Sequence, residues 1–332
     1  MKDKVDIGVI GVGHLGRIHA TLLREIDAVR LVGVYDIDKN KADRIAGELG
    51  VRSFSSVDEM VEKVDAVSVV APTSIHHDLA VRLIGAGKQC FIEKPIASTV
   101  AEAEDICRLS DEKKVKVQVG HVERYNPAVL ALSHLKLEPM FIESHRLAQF
   151  KPRGIDVAVV LDLMVHDIDL ILSFIKSPVA GIDASGVGVI SDTVDIANAR
   201  IKFENGAVAN LTSSRISQHQ MRKMRLFQRD AYITIDFAEG VAEVYRAAMP
   251  DSTGLAGINL GVIGVGESSR IVTYEQPEVP QVNSLKMELE LFARSLLDDC
   301  EPPVPAREAL KVMVVADSIV NQIEKSKELL NF

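Results

Sequence analysis

The sequence predicts an α/β fold: an N-terminal doubly wound parallel sheet, then a C-terminal α+β domain with a large open mixed or antiparallel sheet. Three observations predict it. Up to residue 121, short apolar runs alternate with amphipathic helical runs, the rhythm of successive βαβ units. A Gly-x-Gly-x-x-Gly run joins the first strand to the first helix. Beyond residue 121 the rhythm gives way to strand-like runs separated by hairpin turns such as Glu204-Asn205-Gly206.

Val5-Asp6-Ile7-Gly8-Val9-Ile10 reads as a short apolar strand, followed by Gly11-Val12-Gly13-His14-Leu15-Gly16 and a helical run from Arg17 to Ile26. A second apolar strand, Arg30 to Tyr35, ends on Asp36, twenty residues after Gly16. Strand, glycine turn, helix and acid in this order form the dinucleotide-binding fingerprint of a Rossmann domain. Gly11 allows the tight turn, Gly13 lets a pyrophosphate approach the backbone, and Gly16 lets helix and strand pack closely. His14 and Leu15 lie at the helix N-terminus, whose unpaired N–H groups and dipole favour phosphate. Asp36 can accept hydrogen bonds from both ribose hydroxyls and would repel a 2′-phosphate, which predicts NAD rather than NADP as cofactor. The chain also carries a control. Gly8 to Gly13 recurs letter for letter as Gly261 to Gly266, but Ser269 replaces the third glycine and Ser268 to Thr273 reads as extended. This second copy, within the glycine-rich run Gly254 to Gly266, is read as a loop and not as a nucleotide site.

Lys39 to Leu49 and Asp58 to Lys63 read as helices, and Asp65 to Val70 as a buried strand ending at Ala71-Pro72-Thr73. His76 to Ala86 is helical, and the strand Gln89 to Ile92 terminates in Glu93-Lys94-Pro95. A helix from Thr99 to Leu109, capped by Ser98 or Thr99, precedes the strand Val115 to Val119. Ligands of such sheets sit beyond the carboxyl ends of the strands. That rule surrounds a bound cofactor with Pro72, Glu93, Lys94, Pro95 and His121, and Ala71, Thr73 and His76 of the neighbouring stretch are expected beside it.

In the second half, Asn126-Pro127 opens a helix to about Leu135, Pro139 to Gln149 is extended, and Val157 to Ile175 is one long helix. Strand-like runs follow at Gly181 to Val189, Asp195 to Phe203, Ala207 to Ser213, Met224 to Gln228 and Ala231 to Ile235. Helices return at Leu285 to Leu297 and Ala306 to Leu330. The expected domains are therefore 1–121, dinucleotide-binding, and 122–332, for substrate binding and oligomerisation. The C-terminal helix is free to pack back on the first domain.

The 332 residues are ample for two domains with buried cores, and 47% hydrophobic with 26% charged residues is an ordinary globular composition. No apolar stretch approaches the roughly eighteen residues of a membrane span, and no basic leader precedes the first strand, so a soluble cytoplasmic protein is expected. A net charge of −9 argues against a nucleic-acid partner. Cys90, Cys107 and Cys300 lack metal-ligand spacing and are expected to be buried, reduced thiols.

Three groups of residues could carry chemistry. Lys94, at a strand end beside a nicotinamide, could stabilise developing alkoxide charge. Asp162, His166 and Asp169 share a helix face at i, i+4 and i+7, where a carboxylate can tune an imidazole for acid–base work. Asp162 and His166, four apart, could both be metal ligands, but no third ligand is evident and no metal is expected. The basic residues Arg124, Arg146, Lys151, Arg153, Arg215, Arg222, Lys223 and Arg225 all follow the first domain, a concentration suited to a phosphorylated substrate.

Gly11 to His19, Ala71-Pro72-Thr73-Ser74-Ile75-His76, Glu93-Lys94-Pro95 and Asp162-x-x-x-His166-x-x-Asp169 together resemble the Gfo/Idh/MocA oxidoreductases over nearly the whole chain. The resemblance implies that Lys94 and His166 flank a substrate carbinol, that Asp162 contacts substrate, and that the open sheet face pairs subunits into a homodimer or homotetramer. One position departs from it: Met164 stands where the family often has glycine. The stretches Gly120 to Pro127, Ser144 to Leu147 and Leu161 to Asp169 resemble a narrower branch that oxidises C3 of UDP-N-acetylglucosamine to a 3-keto sugar nucleotide on the way to lipid A. That branch implies that Arg124, Tyr125, Asn126, Arg146 and Arg153 join Asp162 and His166 in binding substrate. The alternatives are a dehydrogenase of a free polyol such as an inositol, and an NAD(H)-binding sensor without turnover. The sensor would have no need of Lys94 and His166.

Overall fold

The computed structural model describes residues 2–150, 157–250, 252 and 256–330, with side chains as far as Ser326. Its first elements are β1 (Val5–Ile10), α1 (His14–Arg24), β2 (Val29–Tyr35), α2 (Lys39–Leu49), β3 (Arg52–Ser53), α3 (Val57–Val61), β4 (Ala66–Val69), α4 (His76–Gly85), β5 (Gln89–Glu93), α5 (Val100–Lys113), β6 (Val117–Gly120) and α6 (Pro127–Leu130). Then come β7 (Phe141–Leu147), α7 (Val165–Phe174), β8 (Val179–Val187), β9 (Ile196–Phe203), β10 (Val208–Ser214), β11 (Met221–Phe227), β12 (Ala231–Asp236), β13 (Val241–Ala248), β14 (Ile258–Ile263), β15 (Arg270–Glu275), α8 (Ser284–Leu297) and α9 (Ala306–Leu330). The chain divides into two compact units, residues 1–125 with 282–314, and residues 126–281 with 315–332.

In the first unit, six strands pair in the order β3-β2-β1-β4-β5-β6, all parallel. The order reverses between β1 and β4, the switch point at which doubly wound sheets bind ligands. β1, β4 and β6 are buried at every position, as befits strands of a parallel sheet covered on both faces. One face of the sheet packs Leu23 of α1 with Leu289, Phe292 and Ala293 of α8. The other packs Leu83 and Ile84 of α4, Ile106 of α5, and Ala306, Ala309 and Met313 of α9. The polar two-residue β3 gave no apolar signal. α5 begins at Thr99, whose hydroxyl accepts the Glu102 N–H while the Glu102 carboxylate reaches back to the cap. It runs past the predicted Leu109, because nothing stops it before Lys114 adopts φ +54°.

The second unit holds a nine-stranded sheet in the order β14-β15-β13-β12-β11-β7-β10-β9-β8, antiparallel except for the β7–β10 pair. The expected open mixed sheet is thus present. Three of its features differ from expectation. The second Gly-Val-Ile-Gly-Val-Gly copy is not a loop: Gly261 to Ile263 belong to β14, an exposed edge strand hairpinned to β15. Its glycines serve a β-bulge, where Gly261 has φ +113°, and the turn at Gly264, φ +85°. A three-residue 3₁₀ turn, Gly266–Ser268, and then β15 follow them instead of an α-helix, so no dinucleotide turn forms. The predicted helix over residues 157–175 is the second difference. Residues Val160–Met164 wind as a π-helix before α7 begins. The helix predicted from Asn126 to Leu135 is regular only over α6.

Cys90 is buried and Cys107 half-buried, but Cys300 is exposed in the turn after α8, contrary to the expectation for all three thiols. Burial alone pushes the Cys90 thiol up to about 12. No described helix is long and apolar enough to cross a membrane.

Candidate active site

The three fingerprint glycines have three different surroundings. Gly11 has φ +84°, and an added Cβ would lie 2.5 Å from the Val70 carbonyl oxygen, so neither backbone nor space admits a side chain. At Gly16 a Cβ would fall 1.8 Å from the Gly11 carbonyl oxygen, the close approach of α1 to the turn. At Gly13 a Cβ would meet nothing within 4 Å. Gly13 is the N-cap of α1, so the open space lies at a helix N-terminus, with exposed His14 and Leu15 in the first turn. A cradle left empty by a glycine, at the positive end of a helix, fits a pyrophosphate.

Asp36 closes the other side of this turn. It is 9% exposed; Oδ2 accepts the Val12 N–H at 2.8 Å and Oδ1 the Asp38 N–H at 3.0 Å. Lys41 Nζ stands 3.7 Å from Oδ1. Carboxylate oxygens accept more than one hydrogen bond, so this geometry leaves acceptor capacity for a ribose diol. The residues present fit a dinucleotide.

At the carboxyl ends of β4, β5 and β6 stand Ala71 to Thr73, Glu93 to Pro95 and His121. Pro72 is exposed, Thr73 begins a 3₁₀ turn over Thr73–Ile75, and Lys94 is half-buried before a cis peptide to Pro95. His121 is buried, and its N–H donates to the Val119 carbonyl. The His76 ring is directed inward, its nitrogens 2.9 Å from the Pro95 carbonyl oxygen and 2.8 Å from that of Ala71. Glu93 also turns inward: Oε1 lies 3.0 Å from His19 Nε2, and Oε2 accepts the Lys94 N–H at 3.2 Å. His19, in the Gly11 to His19 stretch, has no role that its sequence position predicts.

In the second unit Asp162 and His166 are half-buried, whereas Asp167 and Asp169 are buried. Asp162 lies on the π-helical turn and His166 at the start of α7, with buried Met164 between them. Single π turns recur at functional sites because they re-aim side chains along a helix. Next to His166, Asp167 takes a two-pronged contact from Arg146: Nε to Oδ2 at 2.8 Å and Nη2 to Oδ1 at 2.9 Å, with both side chains buried. The expected basic cluster is largely occupied in this way. Arg215 faces Asp195, Lys223 Asp236, Arg225 Glu143, and in the first unit Arg124 Nη2 is 3.9 Å from Glu308. Arg222 is half-buried, and Lys151 and Arg153 lie outside the described residues. Tyr125 is buried, and the Asn126 side chain caps α6 by accepting the Ala128 N–H. No group of three metal-binding side chains occurs among the described residues.

Comparison with known proteins matches residues 5–121 to the Gfo/Idh/MocA model described as an oxidoreductase family with an NAD-binding Rossmann fold, and residues 143–242 to the Gfo/Idh/MocA C-terminal domain. A UDP-N-acetylglucosamine 3-dehydrogenase of Acidithiobacillus ferrooxidans is 39% identical over 252 residues, 76% of this chain and 80% of that protein. The chain belongs to the Gfo/Idh/MocA family. It is accordingly an NAD(P)-dependent oxidoreductase. The solved structure of UDP-N-acetylglucosamine 3-dehydrogenase GnnA from Acidithiobacillus ferrooxidans superposes with a TM-score of 0.86 at 32% identity, covering 97% of this chain and 98% of that one. Another relative, the NAD(+)-dependent scyllo-inositol 2-dehydrogenase of Bacillus subtilis, is 29% identical over 66% of this chain and 70% of its own length.

Proposed function

We propose that this protein oxidises a secondary alcohol of a sugar with NAD, and that the alcohol is C3 of UDP-N-acetylglucosamine. The observation that carries the substrate is the similarity to a UDP-N-acetylglucosamine 3-dehydrogenase in both units, at 39% identity over 76% of the chain. Gly11, Gly13, His14, Leu15 and Gly16 would hold the pyrophosphate, and Asp36 a ribose without a 2′-phosphate. Ala71, Pro72, Thr73, His76, Glu93, Lys94 and His121 would surround the nicotinamide half, with His76 and Glu93 acting through the backbone they hold. When bound, the nicotinamide supplies a hydride acceptor for the carbinol carbon.

The protein's own task is the proton and the charge. His166 takes the hydroxyl proton as the C–H bond breaks, and the Lys94 ammonium stabilises the oxygen as alkoxide charge develops. Asp162 holds substrate, orients His166, or both. Arg124, Tyr125 and Asn126 remain candidates for substrate contact, as does Arg153. Arg146, forked onto Asp167, would serve by fastening the start of α7. Copies of the chain would pair through the sheet face that carries Phe141, Phe227, Tyr232, Tyr245 and Tyr274 in a row of contacting rings.

Deuterium at C3 of UDP-N-acetylglucosamine tests the reaction. The proposal predicts deuterated NADH and a 3-keto product; unlabelled NADH would move the oxidation to another carbon. The scyllo-inositol dehydrogenase similarity supports a second reading, a free polyol as substrate. Turnover of scyllo-inositol with no requirement for a nucleotide would favour it.

A further inference from the structure

Two buried imidazoles hold the chain on either side of Lys94. His19 on α1 and His76 at the start of α4 are 0% and 1% exposed, and their helices cover opposite faces of the first unit's sheet. Each ring bridges the ends of β4 and β5. His19 Nδ1 is 3.0 Å from Ser68 Oγ on β4, and its Nε2 lies 3.0 Å from Glu93 Oε1 on β5, an ion-pair distance without hydrogen-bond geometry. His76 Nε2 is 2.8 Å from the Ala71 carbonyl oxygen just past β4, and its Nδ1 2.9 Å from that of Pro95 just past β5. Glu93 passes the restraint on, its second oxygen accepting the Lys94 N–H at 3.2 Å. Gly120 leaves the necessary room, since a Cβ there would lie 2.9 Å from Glu93 Oε1.

Burying an imidazole is costly unless its nitrogens find partners, and an aliphatic side chain would fill either space without that cost. β5 ends at Glu93, so the Lys94 amide and the Pro95 carbonyl find partners in side chains instead of a neighbouring strand. We propose that His19 and His76 are positioning residues that fix the backbone origin of Lys94 and so aim its ammonium. This rests on the catalytic reading of Lys94. A lysine reaches its target through four rotatable bonds, so a shifted origin misplaces the charge, and a displacement of about 1 Å can cost about a hundredfold in rate.

A double-mutant cycle tests this with UDP-N-acetylglucosamine, and scyllo-inositol as the second alcohol. His76→Ala, His76→Gln and Ser68→Ala are each made in the wild type and in Lys94→Ala. For His76→Ala we expect kcat to fall about ten- to hundredfold, while substrate KM and NADH affinity stay within about threefold. His76→Gln, which keeps one amide donor, should recover part of the loss. Ser68→Ala removes one hydroxyl beside His19 and should give a smaller loss of the same kind, which keeps the test available where a histidine variant does not fold. In Lys94→Ala none of these changes should slow turnover further. Equal losses in both backgrounds, or losses confined to KM or NADH affinity, would overturn the positioning role. Near-normal turnover of Lys94→Ala by itself would instead remove Lys94 from the mechanism.

Discussion

Asp36 accepts backbone N–H groups from Val12 and Asp38 through separate oxygens, so its carboxylate braces the glycine turn as well as facing a ribose. Asp36→Ala is expected to weaken NAD by about 1.5–3 kcal/mol, roughly ten- to hundredfold, with a smaller loss for NADP. Calorimetric titration with both cofactors checks this, and unchanged NAD affinity would remove the ribose assignment. Among the thiols, Cys300 should react with a maleimide in the folded protein, while Cys90 should stay unlabelled until unfolding; mass spectrometry of tryptic peptides distinguishes them. The glycine fingerprint was legible because its spacing fixes each residue's surroundings locally. The role of His19 was not, because its partners Ser68 and Glu93 lie on strands far along the chain. Arg146 was read as a phosphate ligand for a related reason: a charge in sequence does not reveal that Asp167 waits to pair with it.

α2 was predicted with its observed bounds, Lys39–Leu49, because Asp38 caps it and Gly50, at φ +66°, ends it. β14 was missed because an exposed, glycine-containing edge strand lacks the apolar run that marked β1 and β4, and β13 and β15 were missed or only partly read because polar residues interrupt their half-buried stretches. The π turn before α7 left no signal either, since apolar spacing changes little over five residues. Two substitutions probe the elements that frame the site. Gly16→Ala should push α1 away from the Gly11 carbonyl, destabilising the protein by about 1–3 kcal/mol and weakening NAD. Thr99→Ala removes half of a capping box far from the glycine turn, and should cost about 1 kcal/mol in denaturant unfolding with turnover intact. Unchanged stability in either variant would contradict the packing described.

The doubly wound parallel sheet followed from the alternation of strands and helices, and the mixed sheet from its hairpin turns; the short polar β3, the strand order and how the late helices are shared out did not. Alternation cannot say that α8 and the first turns of α9 cover the first unit's sheet, because that depends on apolar faces matching across distant chain segments. The second unit is fastened internally by the Arg146–Asp167 pair, with side chains 6% and 3% exposed. Arg146→Ala strands a buried carboxylate and should cost about 3–5 kcal/mol, whereas a paired change to Met and Leu should cost far less. Tyr232→Glu with Tyr245→Glu places charge in the aromatic row and should shift light-scattering mass toward the monomer; an unchanged mass would place pairing elsewhere. The central claim is the substrate, and NADH absorbance decides it most directly. Purified protein with NAD is mixed with UDP-N-acetylglucosamine, N-acetylglucosamine or scyllo-inositol at alkaline pH, with a ketone-trapping amine to draw the uphill oxidation forward. NADH formed only with the UDP-sugar is the predicted result. NADH with scyllo-inositol alone, or with none of the three despite demonstrable NAD binding, would contradict it.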